Sequence, residues 1–255
     1  MLWDIDKALV AFINSYAQKS WAFDRAISFL INADTVKALP FVVVLTGYWF
    51  ARGNQTEHRR TVLSTLIGAF VAMVITRAWQ NLGPARPRPQ QDPLLDFVMP
   101  SGATRAERLD WSSFPSDTAG LTMALAFGIF LLNRRLGVVM LIWGFVLSCL
   151  PRIYFGLHYP SDIAAGTLIG ILAVYSADRS SLPDWLARPV GLAEARWPGL
   201  FYAVALFVAF QLSTYFFDIR TAGKRIANAF EHHRSAEVET IAVPAVPSPD
   251  TEDPG

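Results

Sequence analysis

Arg152, His158 and Asp162 stand at a spacing suited to phosphoryl chemistry. A neutral imidazole can attack phosphorus and form a phosphohistidine. A carboxylate four residues on can hold the other ring nitrogen and stabilise the imidazolium. Two further segments carry the remaining groups such a reaction needs. Arg86-Pro87-Arg88-Pro89, with Arg77 upstream, supplies guanidiniums whose forked donors match phosphate oxygens. Ser113-Phe114-Pro115-Ser116-Asp117-Thr118 opens an apolar run, so the Ser116 hydroxyl and the free amides of a helix N-terminus add donors. Each segment has a plainer use: a stiff extended linker, a helix cap, an interfacial histidine. Together these uses fall short, because a cap needs neither a histidine four residues before it nor an arginine six before that. No metal-binding cluster of His and carboxylates is evident in the sequence, so no cofactor is expected and the arginines take the charge-stabilising role.

The elements that must position these residues read as membrane helices. Of the 255 residues 53% are hydrophobic and only 17% charged, against about 25% charged in an ordinary globular domain. The formal net charge of +1 gives no global field for nucleic acid, so no nucleic-acid partner is expected. The single cysteine, Cys149, excludes an internal disulfide framework and reads as a small buried hydrophobe. Between charges the apolar runs are Ala38–Ala51, Thr61–Thr76, Thr118–Asn133, Leu136–Pro151, Ile163–Ala177 and Trp197–Phe217. Most are 14 to 16 residues, below the roughly 18 to 20 of a clean span. Their ends argue for a bilayer: Lys37, Arg52, Arg60, Arg77, Arg135 and Arg152 sit where cations snorkel, and Trp49, Trp79 and Trp197 where an aromatic belt falls. The expectation is an all-α integral membrane bundle of about six transmembrane helices, occupying residues 35–218.

Residues 1–34 mix apolar side chains with Asp4, Asp6, Lys7, Lys19, Asp24 and Arg25, without a signal-peptide pattern. They read as an amphipathic helical segment lying in the interface or dipping part-way in. Residues 219–255 read as a polar, largely disordered tail; Ser235–Gly255 holds four prolines and five acids with no Lys or Arg. Loop charge sets orientation. Arg52–Arg60, Asn133–Arg135 and Asp178–Arg196 carry arginines with no evident duty and are expected on the cytoplasmic side. The candidate residues then face the exterior of a plasma membrane, the periplasm in a bacterial inner membrane.

The three segments resemble the signature motifs of the type 2 phosphatidic acid phosphatases, a family similar in its core to the vanadium haloperoxidases. The family pattern is Lys-x6-Arg-Pro, then Pro-Ser-Gly-His, then Ser-Arg-x5-His-x3-Asp. Arg152, His158 and Asp162 match the third motif, with Pro151 at the usual serine. Arg88-Pro89 matches the end of the first and Pro115-Ser116 the start of the second. The resemblance spans roughly residues 8 to 178 and is strongest to bacterial undecaprenyl-diphosphate phosphatases. It implies a six-helix membrane bundle that dephosphorylates a lipid phosphate or diphosphate. It also implies His158 as nucleophile, Asp162 as its orienting partner, and Arg88, Ser116 and Arg152 as phosphate ligands, with Arg77, Arg86 and Thr118 beside them.

Two positions depart from the family pattern. Asn81 stands at the family's lysine, and Arg77, one turn earlier, is the cation that replaces it if the helix continues. Thr118 stands at the histidine that protonates the leaving group. The other histidines, His58, His232 and His233, offer no local replacement, and Asp117 is the one neighbouring acid. A threonine hydroxyl is too weak an acid to protonate an alkoxide. Loss of that acid, worth about 10²- to 10⁴-fold, is best tolerated by a diphosphate. Its leaving phosphate has a second pKa of about 6, whereas an expelled alcohol resembles water at about 15.7. The alternatives are a protein that binds a lipid phosphate without hydrolysis, a lipid phosphotransferase, or a transporter. The last is least supported, since no internal repeat appears.

Overall fold

In the computed structural model, residues 2–103 and 112–214 are described, and these residues belong to one compact unit, Met1–Tyr215. The expectations for residues 219–255, and for His232 and His233, lie outside the described residues. The helices are α1 (Leu2–Asn14), α2 (Trp21–Asn32), α3 (Asp34–Phe50), α4 (Gln55–Leu82), α5 (Asp117–Leu132), α6 (Arg134–Gly144), α7 (Leu150–Tyr154), α8 (Pro160–Arg179), α9 (Leu182–Arg196) and α10 (Pro198–Ser213). A single wide turn, Phe145–Cys149, joins α6 to α7. It precedes Pro151, whose missing N–H and bulky ring cannot continue an ordinary α-helical ladder.

Among the described residues three helical stretches are long and apolar enough to cross a membrane: α4 with 28 residues, Arg134–Tyr154 with 21 and α8 with 20. A fourth arises if α2 and α3, bent by 52° at Ala33, form one span. Apolar α5 and α10 have 16 residues each and rise only about 24 Å, short of the roughly 30 Å hydrocarbon core. The count is therefore three or four on length, where the sequence suggested about six. The runs looked short because charges at helix ends cut them. Helix α4 reaches from Gln55 to Leu82 with Arg59, Arg60 and Arg77 inside it.

Helices α4, α5 and α8 form the centre, and small residues let them close. A Cβ on Gly166 would lie 2.2 Å from the Ser116 carbonyl oxygen, and one on Gly170 equally close to that of Gly120. On α4, Gly68 faces Val174 and Thr65 faces Gly128 with similar intimacy. In a bilayer, where lipid competes equally for apolar surface, close packing of this kind drives association. The buried hydroxyls stay satisfied within their own helix: Thr65 donates to the Thr61 carbonyl at 2.7 Å and Thr76 to that of Ala72 at 2.8 Å. The consequence for function lies at one end, where the closed α5–α8 pair sets two helix N-termini side by side. There the Ser116 amide donates to the Asp162 carbonyl at 3.0 Å.

Helix α1 has an inverted amphipathic pattern. Ile5, Leu9 and Phe12 are exposed, whereas Asp6, Val10 and Asn14 are buried. A helix presenting its apolar side outward and its polar side inward suits a lipid surrounding.

Candidate active site

Three loops and two helix starts build the site. The Arg-Pro loop and the Ser-Phe-Pro-Ser loop are laced together: Ser113 N–H donates to the Arg86 carbonyl at 2.9 Å, and Arg86 N–H to the Ser112 hydroxyl at 3.2 Å. Gln80, buried on the last turn of α4, donates to the Pro115 carbonyl at 2.7 Å. The third loop turns at Gly156, where φ is +62° and a Cβ would lie 2.6 Å from the Phe97 ring. Glycine alone accepts both that conformation and that contact. The turn is pinned by Gln90 N–H on the Gly156 carbonyl at 3.0 Å, and it delivers His158 into the interior.

His158 is only 1% exposed. Its Nδ1 lies 2.8 Å from the backbone carbonyl of Ser113 and 3.7 Å from Asp162 Oδ2. A carbonyl only accepts, so this geometry places the neutral ring's proton on Nδ1 and leaves the free lone pair on Nε2. The Ser113 carbonyl thus occupies the place expected for Asp162. The carboxylate is otherwise engaged: one oxygen accepts from Tyr159 N–H at 2.7 Å, the other from Arg86 Nη1. At 3.7 Å it still offers a countercharge to an imidazolium. Burial pushes His158 below its ordinary value; the Asp162 carboxylate opposes this, and Arg88 and Arg152 add to it. The ring is therefore neutral at pH 7.

Arg88 is 6% exposed and holds the loop before His158 through Nη1 on the Leu157 carbonyl at 2.8 Å. Burial brings its guanidinium down to about 10, with Asp117 opposing and Arg152 adding, so it remains a cation. The buried Nε–H groups of Arg88 and Arg152, like that of Arg86, have no acceptor among the described residues. An unpaired buried charge-bearing donor is costly, and an anion would relieve both. Ser116 is buried and caps α5, accepting from Ala119 N–H at 3.3 Å. Thr118 is buried next to it.

Arg77 and Arg86, expected among the phosphate ligands, are bound to carboxylates. Arg77 Nη2 is 3.0 Å from Asp117 Oδ2. Helix α4 does continue past it, as the replacement of lysine required, while Asn81 is exposed. Asp117 also accepts from Thr118 N–H at 2.8 Å. Asp117 is thus engaged by both an ion pair and an amide donor. Arg86 reaches Asp162, Ser161 Oγ at 2.8 Å and Asp6 at 2.7 Å. Its guanidinium carbon lies 4.7 Å from the Trp3 ring and 4.3 Å from that of Tyr159. Asp6, Ser113 and Ser161 were not candidates from sequence. Asp6 had one signal, its place with Val10 and Asn14 on one stripe of the helix.

A buried imidazole beside two guanidiniums, at the joined N-termini of α5 and α8, is an arrangement fit for a phosphoryl group. Residues 58–180, just under half of the chain, match the PAP2 superfamily. The bacitracin transport permease protein BcrC of Bacillus licheniformis is 30% identical over 51% of this chain and 59% of its own. The chain thus spans about three fifths of that relative. The putative undecaprenyl-diphosphatase YbjG of Escherichia coli is 29% identical over 69% of this chain and 83% of its own. A solved transmembrane PAP2 type phosphatidylglycerolphosphate phosphatase from Bacillus subtilis has a TM-score of 0.45 at 18% identity, covering 69% of this chain and 84% of that one.

Proposed function

We propose that this protein is a membrane phosphatase that hydrolyses a lipid diphosphate of the polyprenyl class through a phosphohistidine. The observation that carries the reading is His158, buried with Nδ1 anchored on the Ser113 carbonyl and flanked by Arg88 and Arg152. In the first step Nε2 attacks the terminal phosphorus and an N–P bond forms. The P–O bond to the inner phosphate breaks, and the lipid monophosphate leaves with the electron pair. Arg88, Arg152 and the Ser116–Thr118 end of α5 hold the equatorial oxygens. Asp162, 3.7 Å from Nδ1, offsets the imidazolium charge until water cleaves the N–P bond. Arg77 and Arg86 serve through the carboxylates they hold. With Thr118 at the acid position and Asp117 tied to Arg77, the site favours a leaving group that needs no proton, and a diphosphate supplies one. The name of the YbjG relative points to the same class.

The site is proposed to face the exterior. The arginine argument for orientation is reduced, because Arg59 and Arg60 turn out to be paired with Glu194, Asp178 and Asp184. Cysteine labelling from outside at Leu94, which is exposed beside the site, and at exposed Arg134 tests it against a low background, since Cys149 is buried. Labelling of Arg134→Cys alone would reverse the orientation.

The function is tested by phosphate release from undecaprenyl diphosphate and from phosphatidic acid, with His158→Ala as control. Release from the diphosphate alone, lost in the variant, is expected. Equal rates on both substrates would remove the diphosphate preference. Silence on both, persisting in Thr118→His, would leave a lipid-phosphate binding protein on this scaffold.

A further inference from the structure

The outermost contact of the site comes from the beginning of the chain. Asp6 on α1 is 5% exposed. Its carboxylate accepts from Arg86 Nη2 at 2.7 Å, from Ser161 N–H at 3.0 Å and from the Ser161 hydroxyl. Ser161 is the residue before Asp162 in the first turn of α8, so Asp6 acts as an external cap on that helix. Arg86 is thereby clamped between two carboxylates, Asp6 on one fork and Asp162 on the other. Its guanidinium carbon also lies over the Trp3 and Tyr159 rings, 4.7 and 4.3 Å from their centroids, a further favourable contact for the cation. A second tie holds the same helix: Lys7 of α1 is 3.4 Å from Asp92, which accepts from the Tyr159 hydroxyl at 2.9 Å.

We infer that Asp6 is a positioning residue for the reaction, acting through Arg86 on Asp162, and that α1 is therefore a working wall of the site.

The reason is charge. Arg86 beside Asp162 alone would form a neutral pair, and Asp162 would present little negative field to the histidine. With Asp6 on the far side of Arg86, the trio carries one net negative charge, directed at His158. That charge is needed when His158 becomes a cationic phosphohistidine. The groups facing His158 from the packed elements are Arg88 of the Arg-Pro loop, Arg152 of α7 and Asp162 of α8. Arg77 and Asp117 stand behind Arg88. Two cations thus oppose the imidazolium, and the clamp is the counterweight. The exposed apolar side of α1, with Ile5, Leu9 and Phe12, is how the bilayer would hold this wall in place.

This inference rests on the phosphatase reading, and the test separates the two. Asp6→Asn in the full-length protein keeps the shape and removes the charge. The expected result is a fall in kcat of about 10- to 100-fold, the range typical of outer-shell carboxylates, with KM little changed. Loss of a negative charge also lowers the His158 pKa, so the acid limb of kcat/KM moves to lower pH although the enzyme is slower. Asp6→Glu restores most of the rate and the position of the limb. Because Asp6 acts through Arg86, the pair Asp6→Asn and Arg86→Gln together cost no more than Arg86→Gln alone. Additive losses with an unmoved limb would overturn the inference, since a mere helix cap gives that pattern. Should Asp6→Asn fail to fold, Asp6→Ser keeps an acceptor for Ser161 without the charge and is read in the same way. His158 titration by NMR of ring-labelled protein needs no turnover. A shift there, in a wild type that hydrolyses nothing, would remove the phosphatase reading and leave the clamp. Hydrolysis by the wild type with no shift in Asp6→Asn would remove the clamp alone.

Discussion

At the start of α4, Arg59 gives both forks to Glu194 at 2.8 and 3.1 Å, and Arg60 reaches Asp184 at 2.9 Å and Asp178 at 3.0 Å. At the far end of the same helix, Arg77 and Arg86 are likewise paired with carboxylates, whereas Arg88 and Arg152 have no ion pair among the described residues; the buried Nε–H groups of Arg86, Arg88 and Arg152 all lack an acceptor there. Twenty-eight residues of α4 separate the two ends by about 40 Å. Both ends are rich in arginine, and only one holds buried arginine Nε–H groups without an acceptor among the described residues. The arginines proposed to meet substrate, Arg88 and Arg152, are set apart by having no carboxylate partner among the described residues, a property that residue type alone does not reveal. Paired arginines bind the helices together at one end and organise carboxylates at the other.

The contrast is sharpest for the unpaired cations. Arg88→Ala and Arg152→Ala are each expected to lower kcat by about 10²- to 10³-fold, the cost of one preorganised donor on a developing anion. Arg88 also holds the Leu157 carbonyl, so Arg88→Lys, which keeps charge but loses the fork, should recover only part of the rate. Steady-state rates on a lipid diphosphate check this. A loss below threefold for both alanine variants would mean that the spare donors do not meet substrate.

Thr118 bears on the same end from the side of the leaving group. Thr118→His introduces a proton donor at the N-terminus of α5, and the rate on a monophosphate ester is expected to rise by about 10- to 100-fold, within the range of general-acid catalysis. The diphosphate rate should change less. Parallel assays on phosphatidic acid and a polyprenyl diphosphate decide it; an equal gain on both would detach Thr118 from the leaving group.

The charge around His158 gives a third, smaller effect. Burial, then Arg88 and Arg152, lower its pKa below the ordinary 6.5, and attack requires the neutral ring. The acid limb of kcat/KM should therefore fall below 6.5, so that activity persists to more acidic pH than an exposed histidine allows. In Arg152→Gln one opposing cation is gone and the limb should move up. A limb above 6.5 in the wild type would mean that Asp162 outweighs burial and both arginines.

Much of this site was legible in the sequence, for definite physical reasons. His158 and Asp162 sit four apart at a helix start, a spacing fixed by local geometry, and Arg88, Ser116 and Arg152 lie at loop or helix positions that topology alone gathers at one end. What stayed hidden depends on contacts between distant segments. The nearest partner of His158 Nδ1 is a backbone carbonyl, that of Ser113, and any residue type carries one. Asp6 meets Arg86 across eighty residues. Its stripe with Val10 and Asn14 marks it as inward-facing, yet the stripe cannot say what lies opposite. The number of long spans was hard to read in the same way. Scanning between charges cannot distinguish a cation that ends a span from one, like Arg60, that a neighbouring helix neutralises.

The opposite end of α4 supplies the test that the comparison itself depends on. Arg60 donates to the Asp178 and Ser180 carbonyls at 2.7 and 3.4 Å as well as to two carboxylates, so it also closes the C-terminus of α8. A cation on terminal carbonyls is worth about 0.3 to 1 kcal/mol. Partly exposed ion pairs add about 0 to 1 kcal/mol, and Asp184 is more than half exposed. Arg60→Ala should therefore lower the thermal midpoint by a few degrees and leave kcat and KM unchanged. The same helix α8 carries Asp162 at its other end. If rigid coupling along α8 mattered to the chemistry, loosening its C-terminus would slow turnover. A kcat reduced tenfold in Arg60→Ala, with the protein still folded, would show that the two ends are not independent and that paired arginines on one side tune the unpaired ones on the other.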